Sequence, residues 1–265
     1  MTNLANSSSV YGKLTRLLAI SVIAIGFAGC ASKSGITTGS VSKFNKPLAQ
    51  MNASELGTAA NSVGARYSKN PKDAGIAMQY ASILQMNGQS KQSLAVMQQA
   101  AIHNPEDRTV LAAYGKSLAS AGHLEQALTT IRRAQTPDQP DWKLLSAEGA
   151  ILDQLGETVE ARRKYREALD RKPNEPTILS NIGMSYLLAG DLRTAETYLR
   201  NASNQPTADS RVRQNLALVI GLQGRFAEAE QVARNELSSQ QAEANVTYLK
   251  RMIAQNNSWK KLKQT

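Results

Sequence analysis

Small residues recur along the chain with a period of 34 residues. Five glycines keep that step: Gly88, Gly122, Gly156, Gly190 and Gly224. Three further rows of small residues keep the same period, seven positions before, five after and twelve after each glycine, until Glu236 interrupts the last row. Apolar residues between these positions follow a helical spacing of three and four. Four rows locked at one period predict an array of helix–turn–helix repeats.

The repeat from Trp142 to Pro173 shows what each row does. Apolar residues at helical spacing predict one helix (helix A) before Gly156 and a second (helix B) after it. Gly156 is expected to end helix A in the left-handed backbone region, which favours glycine. Gly149 and Ala161 are small because two antiparallel helices must approach closely there. Pro173 lacks a backbone N–H and therefore ends helix B.

The residues of this repeat resemble the tetratricopeptide-repeat (TPR) family. The resemblance is carried by Leu145, Gly149, Leu152, Gly156, Ala161, Tyr165, Ala168 and Pro173, and in the next repeat by Leu179, Gly183, Tyr186, Gly190, Ala195, Leu199 and Ala202. It covers about residues 74 to 240. It implies an all-α fold, a right-handed superhelix of about five TPR helix-turn-helix repeats with capping helices. TPR arrays are binding scaffolds for many kinds of partner.

Composition and pattern divide the chain into five predicted segments. These are a lipoprotein signal peptide at 1–29, a flexible tether at 30–46, a degenerate N-terminal half repeat at 47–72, the TPR array at 73–241, and a C-terminal capping helix with a basic tail at 242–265. The tether is rich in Ser, Thr, Gly and Lys. The capping helix is expected over 242–256, with apolar residues on one side.

The N-terminal segment predicts export and a lipid anchor. Lys13 and Arg16 precede eleven uncharged residues, 17–27, a stretch too short to span a bilayer and typical of a secretory signal. The sequence Phe-Ala-Gly-Cys that ends at Cys30 resembles a bacterial lipobox, in which the cysteine carries acyl chains. Cys30 is the sole cysteine, so the chain has no internal disulfide. An ordinary signal peptide with cleavage nearby is the alternative. Ala31, by analogy with lipoprotein sorting, points to the outer membrane and its periplasmic side.

Charge and motifs exclude several classes of function. Removal of residues 1–29 lowers the net charge from +10 to +8, because Lys13 and Arg16 are its charged residues. The chain has few aromatics and no dense Lys/Arg run, so we expect no nucleic acid as partner. His103 and His123 occupy unrelated repeat positions, and no phosphate loop or nucleophile motif is present. We therefore expect no enzyme activity, catalytic residue, cofactor, metal or small-molecule substrate.

The family resemblance places a binding site on the concave wall, which helix A lines. The predicted partner-binding residues are Lys116, Lys143, Ser146, Asp153, Asn181, Met184, Arg211, Gln214 and Asn215. Asn181 and Asn215 share one repeat position. In some TPR proteins such residues clamp a C-terminal carboxylate, but here Ser146 and Ser180 stand where that clamp has lysine. The pattern therefore favours generic binding of an extended peptide over a carboxylate clamp.

The whole layout resembles the TadD family, the TPR lipoproteins of tight-adherence (Flp-type) pilus systems. The lipobox, the tether, about five repeats and the size carry this resemblance. It implies a scaffold that assembles the secretin channel and the pilus, with a secretin or other pilus assembly components as protein partners and a membrane anchor at Cys30. The alternatives are a type IV pilus pilotin and an accessory lipoprotein of β-barrel assembly or cell-wall enzyme complexes. A catalytic protein with a TPR arm is disfavoured, because no segment remains for a catalytic domain.

Overall fold

The computed structural model describes residues 46–136, 138, 140–235 and 237–262, with the backbone alone at residue 49 and from residue 256 onward. These residues form twelve α-helices, a short 3₁₀ helix and no strand, so the predicted all-α fold is confirmed. The 3₁₀ helix, Leu48–Gln50, precedes the first α-helix. The predicted signal peptide, Cys30 and most of the tether lie outside the described residues.

The chain divides into two compact units, Met1–Pro140 and Asp141–Thr265. The first unit contains α1 (Ala53–Lys69), α2 (Ala74–Met86), α3 (Ser90–His103), α4 (Arg108–Ser120) and α5 (Leu124–Ala134). Helices α2 and α3 form one antiparallel pair and α4 and α5 the next, while α1 packs on α2. Within this unit each A helix therefore contacts its own B helix and the helix before it.

The second unit repeats the same plan three times and ends with a single long helix. It contains α6 (Trp142–Leu155), α7 (Thr158–Arg171), α8 (Pro176–Leu188), α9 (Leu192–Ser203), α10 (Ser210–Leu222), α11 (Phe226–Arg234) and α12 (Ser239–Leu262). The A helices α6, α8 and α10 also contact one another in sequence, and α12 packs on α10 and α11. The capping helix is longer than predicted: its 24 residues begin before residue 242 and continue past residue 256.

A glycine follows each A helix in the left-handed backbone region. The five glycines of the 34-residue row have φ between +77° and +86°, as predicted for residues that end a helix. At the end of α6 the Gly156 N–H donates to the Asp153 carbonyl at 3.1 Å, and the Glu157 N–H donates to the Leu152 carbonyl at 2.9 Å. A residue with a side chain would be strained at this position.

The small residues of helix A lie where its B helix crosses closest. A Cβ at Gly149 would lie 2.6 Å from Tyr165 Cε1, and a Cβ at Gly183 would lie 2.7 Å from Leu199 Cγ and 3.0 Å from the Ala195 carbonyl oxygen. The distances of 2.6 and 2.7 Å are shorter than real Cβ atoms show. The predicted role of the small-residue row, close approach of paired helices, is therefore confirmed at these two positions.

Acidic residues precede the A helices at the same 34-residue step. The residues of this row are Asp73, Asp107, Asp141, Glu175 and Asp209. Each aspartate side chain accepts a hydrogen bond from a backbone N–H in the first turn of its helix. Glu175 makes no such bond, and Pro176 begins α8 instead. N-capping is thus a further periodic feature that fixes where each repeat begins.

Candidate functional site

Two amide-to-hydroxyl hydrogen bonds link successive A helices of the second unit. Asn181 on α8 donates from Nδ2 to Ser146 Oγ on α6 at 3.0 Å, and Asn215 on α10 donates from Nδ2 to Ser180 Oγ on α8 at 3.1 Å. Both serines are buried and both asparagines are half-buried. The second bond reproduces the first one repeat later. We call these four residues the Asn–Ser ladder.

The ladder holds its amides in position and leaves part of each one free. Among the described residues, the Nδ2 bond is the one hydrogen bond made by each asparagine side chain. An amide has two N–H donors and a carbonyl acceptor, so each asparagine keeps one donor and its acceptor. These are the groups that complement the C=O and N–H of an extended peptide backbone.

Two of the predicted cations, Lys143 and Arg211, lie in the first turns of their helices, whereas Lys116 lies in the second half of α4. Arg211 Nη2 lies 2.7 Å from Asp209 Oδ2, and its Nε lies 3.0 Å from the same oxygen. Lys143 Nζ lies 5.6 Å from the centre of the Trp142 ring. Lys116 is half-buried on α4, in the first unit. Because Asp209 offsets the charge of Arg211, that position is less basic than the sequence suggests.

Met184 and Gln214 complete the predicted set on α8 and α10. Met184 is half-buried and follows Asn181 by one helical turn. Gln214 is exposed, next to Asn215, and donates from Nε2 to Ser210 Oγ at 3.0 Å. Of the predicted residues, the structure joins Ser146 to Asn181 directly. Asn215 is joined to Ser180, which belongs to the same register as Ser146.

Asp153 is buried, whereas its repeat position predicts that it lies on the open wall of the groove. Its side chain is 9% exposed. Oδ2 accepts a hydrogen bond from Tyr165 Oη at 3.0 Å, and Oδ1 accepts one from Ser185 Oγ at 2.8 Å. Burial raises the pKa of Asp153 to about 6, although the bonds from Ser185 and Tyr165 and the charge of Arg162 oppose the rise. This carboxyl ties α6, α7 and α8 together and is not open to a partner.

Arg162 lies near this buried carboxyl and connects it to a pair of tyrosines. The Arg162 guanidinium lies 4.8 Å from the centre of the Tyr186 ring, and its Nη1 donates to Ser185 Oγ at 3.4 Å. Tyr186 in turn stacks on Tyr198, with the ring centres 5.6 Å apart. The sequence pattern does not predict this cluster. One signal was available in the sequence. Tyr165 occupies a repeat position that is otherwise apolar, and a buried tyrosine hydroxyl needs a hydrogen-bond acceptor.

A second polar cluster links helix α9 to the α10–α11 turn and to α11. Arg200 and Arg225 each pair with both Glu196 and Glu228. Partial burial alone would raise the pKa of Glu196, but hydrogen bonds from Arg225, Gln223 and Arg200 outweigh it and lower that pKa. The cations of this B-helix surface are therefore held by carboxylates, unlike the uncharged amides of the ladder.

The described residues contain neither a cluster of metal ligands nor a helix able to span a membrane. None of their His, Cys, Asp and Glu side chains form a group of three or more that would hold a metal ion. None of their helices combines the length and the apolar character that a membrane span needs.

Comparison with protein families supplies the classification. A family model described as "Tetratricopeptide repeat" matches residues 81–142, 115–176 and 146–209, and a second model of the same description matches residues 210–235. Together they cover more than half of the chain without a gap. The chain belongs to the tetratricopeptide-repeat family. TPR repeats are typical of protein–protein interaction scaffolds. Comparison with curated proteins gave no match.

Solved structures share the TPR fold at low sequence identity. The crystal structure of the APC/C hetero-tetramer Cut9–Hcn1 aligns with a TM-score of 0.61 and 15% identity, over 81% of this chain and 42% of that one. A TPR protein from Parabacteroides merdae aligns with a TM-score of 0.53 and 16% identity, over 68% and 71% of the two chains. The human IFIT1 dimer with PPP-AAAA gives a TM-score of 0.54 and 16% identity, over 68% and 45%. This chain thus spans less than half of the Cut9–Hcn1 chain, and the likeness shows the fold alone.

Proposed function

We propose that this TPR protein is a lipid-anchored scaffold whose A-helix face in the second unit binds an extended segment of a partner protein. The observation that carries the proposal is the Asn–Ser ladder, in which two half-buried amides are fixed one repeat apart with a donor and an acceptor unused. We further propose that the protein acts in the outer membrane, on the periplasmic side, in assembly of the secretin and the Flp pilus. The lipobox-like sequence at Cys30 and the TadD-like layout support this assignment.

The chemistry of the ladder favours peptide backbone over a terminal carboxylate. A carboxylate clamp needs cations that face the ligand. Here serines occupy the corresponding positions of α6 and α8, and the nearby Arg211 is already paired with Asp209. Neutral amides bind the C=O and N–H groups of any extended segment. The bound segment is therefore internal to the partner, and its capture depends weakly on salt.

Replacement of both ladder asparagines tests the binding site. In Asn181→Ala combined with Asn215→Ala, each helix loses one neutral hydrogen bond, and we expect stability to fall by about 1–2 kcal/mol in total. Recovery of the secretin from membrane extract should fall at least tenfold. The matched control is Asn201→Ala on the B helix α9, where the side chain is exposed. Equal recovery by the double variant and the control would refute the site.

The nature of the recovered proteins tests the pilus assignment separately. Recovery of a secretin or another pilus assembly component by the wild-type protein, lost in the ladder variant, is the expected result. Recovery of cell-wall enzymes in their place, with the same dependence on the ladder, would keep the scaffold and overturn the pilus assignment.

Substitution of the lipidated cysteine tests the anchor. Acyl chains each contribute about 0.8 kcal/mol per buried CH2, and two or more chains make membrane attachment stable. We expect Cys30→Ser to move the protein from the membrane pellet to the soluble fraction. A variant that still pellets as the wild type does would show that the protein is not held by lipid at this residue.

A further inference from the structure

The terminal helix α12 has two different sides. Ala242, Val246 and Leu249, at helical spacing, are buried against the rest of the second unit. On the outer side a shallow depression runs along the helix, lined by Gln240, Glu243, Ala244, Thr247, Tyr248 and Arg251. We call these six residues the outer stripe of α12. The stripe spans about three turns of helix.

Tyr248 sets the outer stripe apart from an ordinary solvated face. Tyr248 is 71% exposed, more than any other aromatic residue whose side chain the structure describes. A helix that caps a repeat array is expected to present a polar outer surface, because its inner side covers the apolar face of the last repeat. A tyrosine beside the small Ala244 instead offers an aromatic side chain next to a place where a second helix can approach closely.

The charges of the stripe are arranged symmetrically. Glu243 precedes Thr247 by four residues and Arg251 follows it by four, so each lies about 6 Å along the axis from Thr247. Both side chains are exposed, and neither takes part in an ion pair with any described residue. If a second copy of α12 lay antiparallel about a two-fold axis through Thr247, Glu243 of each copy would face Arg251 of the other. The two Tyr248 side chains would then lie side by side near the axis.

We propose that the outer stripe of α12 is a dimerisation surface, through which two copies of this chain associate antiparallel about a two-fold axis at Thr247. An isologous contact must be self-complementary, with each residue meeting its symmetry-related partner. The Glu243–Arg251 arrangement satisfies this requirement twice in each dimer. The stripe is short, so the interface is small and the dimer exchanges readily. The Asn–Ser ladder lies on other helices, α6, α8 and α10.

Charge reversal at the two positions gives a decisive test. Two differently tagged copies of the full chain are produced together, extracted in detergent and recovered through one tag. We expect wild-type copies to co-purify. Glu243→Arg paired with itself should reduce recovery of the second tag about tenfold, because two attractive contacts become repulsive, and Arg251→Glu paired with itself should do the same. One copy with Glu243→Arg and the other with Arg251→Glu should restore recovery, since both contacts are attractive again.

Controls separate dimer formation from folding. Both substituted residues are exposed, so the thermal midpoint of each variant should match that of the wild type. Lys250→Glu is the matched control on the same helix, since Lys250 Nζ lies 5.2 Å from the Phe226 ring on the side that faces α11. It should leave co-purification unchanged. The proposal is overturned if wild-type copies fail to co-purify, if either reversed variant pairs with itself as the wild type does, or if the mixed pair is not restored while both variants are folded.

Discussion

Two helix pairs of the second unit pack through the same register positions with different chemistry. Between α6 and α7, Gly149 meets the ring of Tyr165, whose hydroxyl donates to the buried Asp153. Between α8 and α9, Gly183 meets Leu199 instead. Tyr165 and Leu199 are 34 residues apart, and both are fully buried. The shared geometry of the two pairs comes from the small residue, because the large residue opposite it differs in shape and polarity.

The comparison shows that one repeat can carry a polar link that the next one lacks, while both keep the close contact at the small residue. Tyr165 brings a hydroxyl into the interior, and that hydroxyl needs an acceptor. Asp153 supplies it and also accepts from Ser185 on the next A helix, so the polar link extends into the following repeat. The α8–α9 pair has no counterpart, since the residue in register with Asp153 is Leu187.

The largest expected effect comes from filling the close contact that both pairs share. In Gly183→Leu the new side chain meets Leu199 and the Ala195 carbonyl oxygen, and the latter belongs to the backbone and cannot turn away. We expect a loss of about 3 kcal/mol, at the upper end of overpacking effects. Urea denaturation followed by circular dichroism measures it. The matched control is Gly57→Ala on α1, where a Cβ meets no atom within 4 Å and a gain of about 0.5–1 kcal/mol is expected.

A Gly183→Leu protein as stable as its parent would contradict the packing described for the A and B helices. A protein of parental stability that failed to bind its partner would instead place Gly183 in the binding site.

A smaller effect, dependent on pH, is expected from Asp153→Asn. Folding raises the pKa of Asp153 to about 6 from an unfolded value near 4, so above pH 6 the fold carries the cost of a buried carboxylate. As the pH falls from about 6 to about 4, the folded protein gains a proton that the unfolded chain does not, and that cost disappears. Asparagine is neutral throughout this range. As the pH rises from 4 to 8, the stability of the variant relative to that of the wild type should therefore increase by about 2 kcal/mol.

Urea titrations of both proteins at several pH values isolate this difference, because all other groups titrate alike in the two. A stability difference that stays constant from pH 4 to pH 8 would show that Asp153 is not held in a desolvated site. The α8–α9 pair, with Leu187 in register, contributes no such dependence.

The smallest effect on stability is expected from charge reversal at the start of α6 and α10. Lys143→Glu combined with Arg211→Glu changes residues in the first helical turn, where a negative charge is favourable to the helix dipole. Loss of the ion pair between Arg211 and Asp209 opposes that gain, so the free energy of unfolding should change by less than about 0.5 kcal/mol. Partner recovery should stay close to that of the wild type, since the ladder amides that hold the segment are uncharged. A large loss of stability would mean that these two residues support the fold.

The repeat pattern predicted the fold because its signals are local. A left-handed glycine and a small residue at a helix crossing each impose one residue type at one register, and these remain visible in a single sequence. The turn at Gly156 and the crossings at Gly149 and Gly183 agree with that prediction. The extent of α12 was underestimated, since polar residues such as Asn256 and Asn257 interrupt its apolar pattern without ending the helix.

Details of the candidate site escaped prediction because they depend on contacts between helices. The ladder bonds join residues 35 positions apart, one more than the repeat, so inspection of a single register position does not reveal them. The register of Asp153 alone predicts a place on the open wall. Its burial follows from Tyr165 on α7 and Ser185 on α8, which only the packed helices bring to it.

The central claim, that the A-helix face of the second unit binds the partner, is tested most directly by cross-linking in cells. A photoreactive amino acid is placed at Gln214, which is exposed next to Asn215 of the ladder, or at Val159, which is 75% exposed at the start of the B helix α7. The account predicts a covalent product with a secretin or pilus component from residue 214 and none from residue 159. A product from residue 159 alone, or equal products from both, would contradict it.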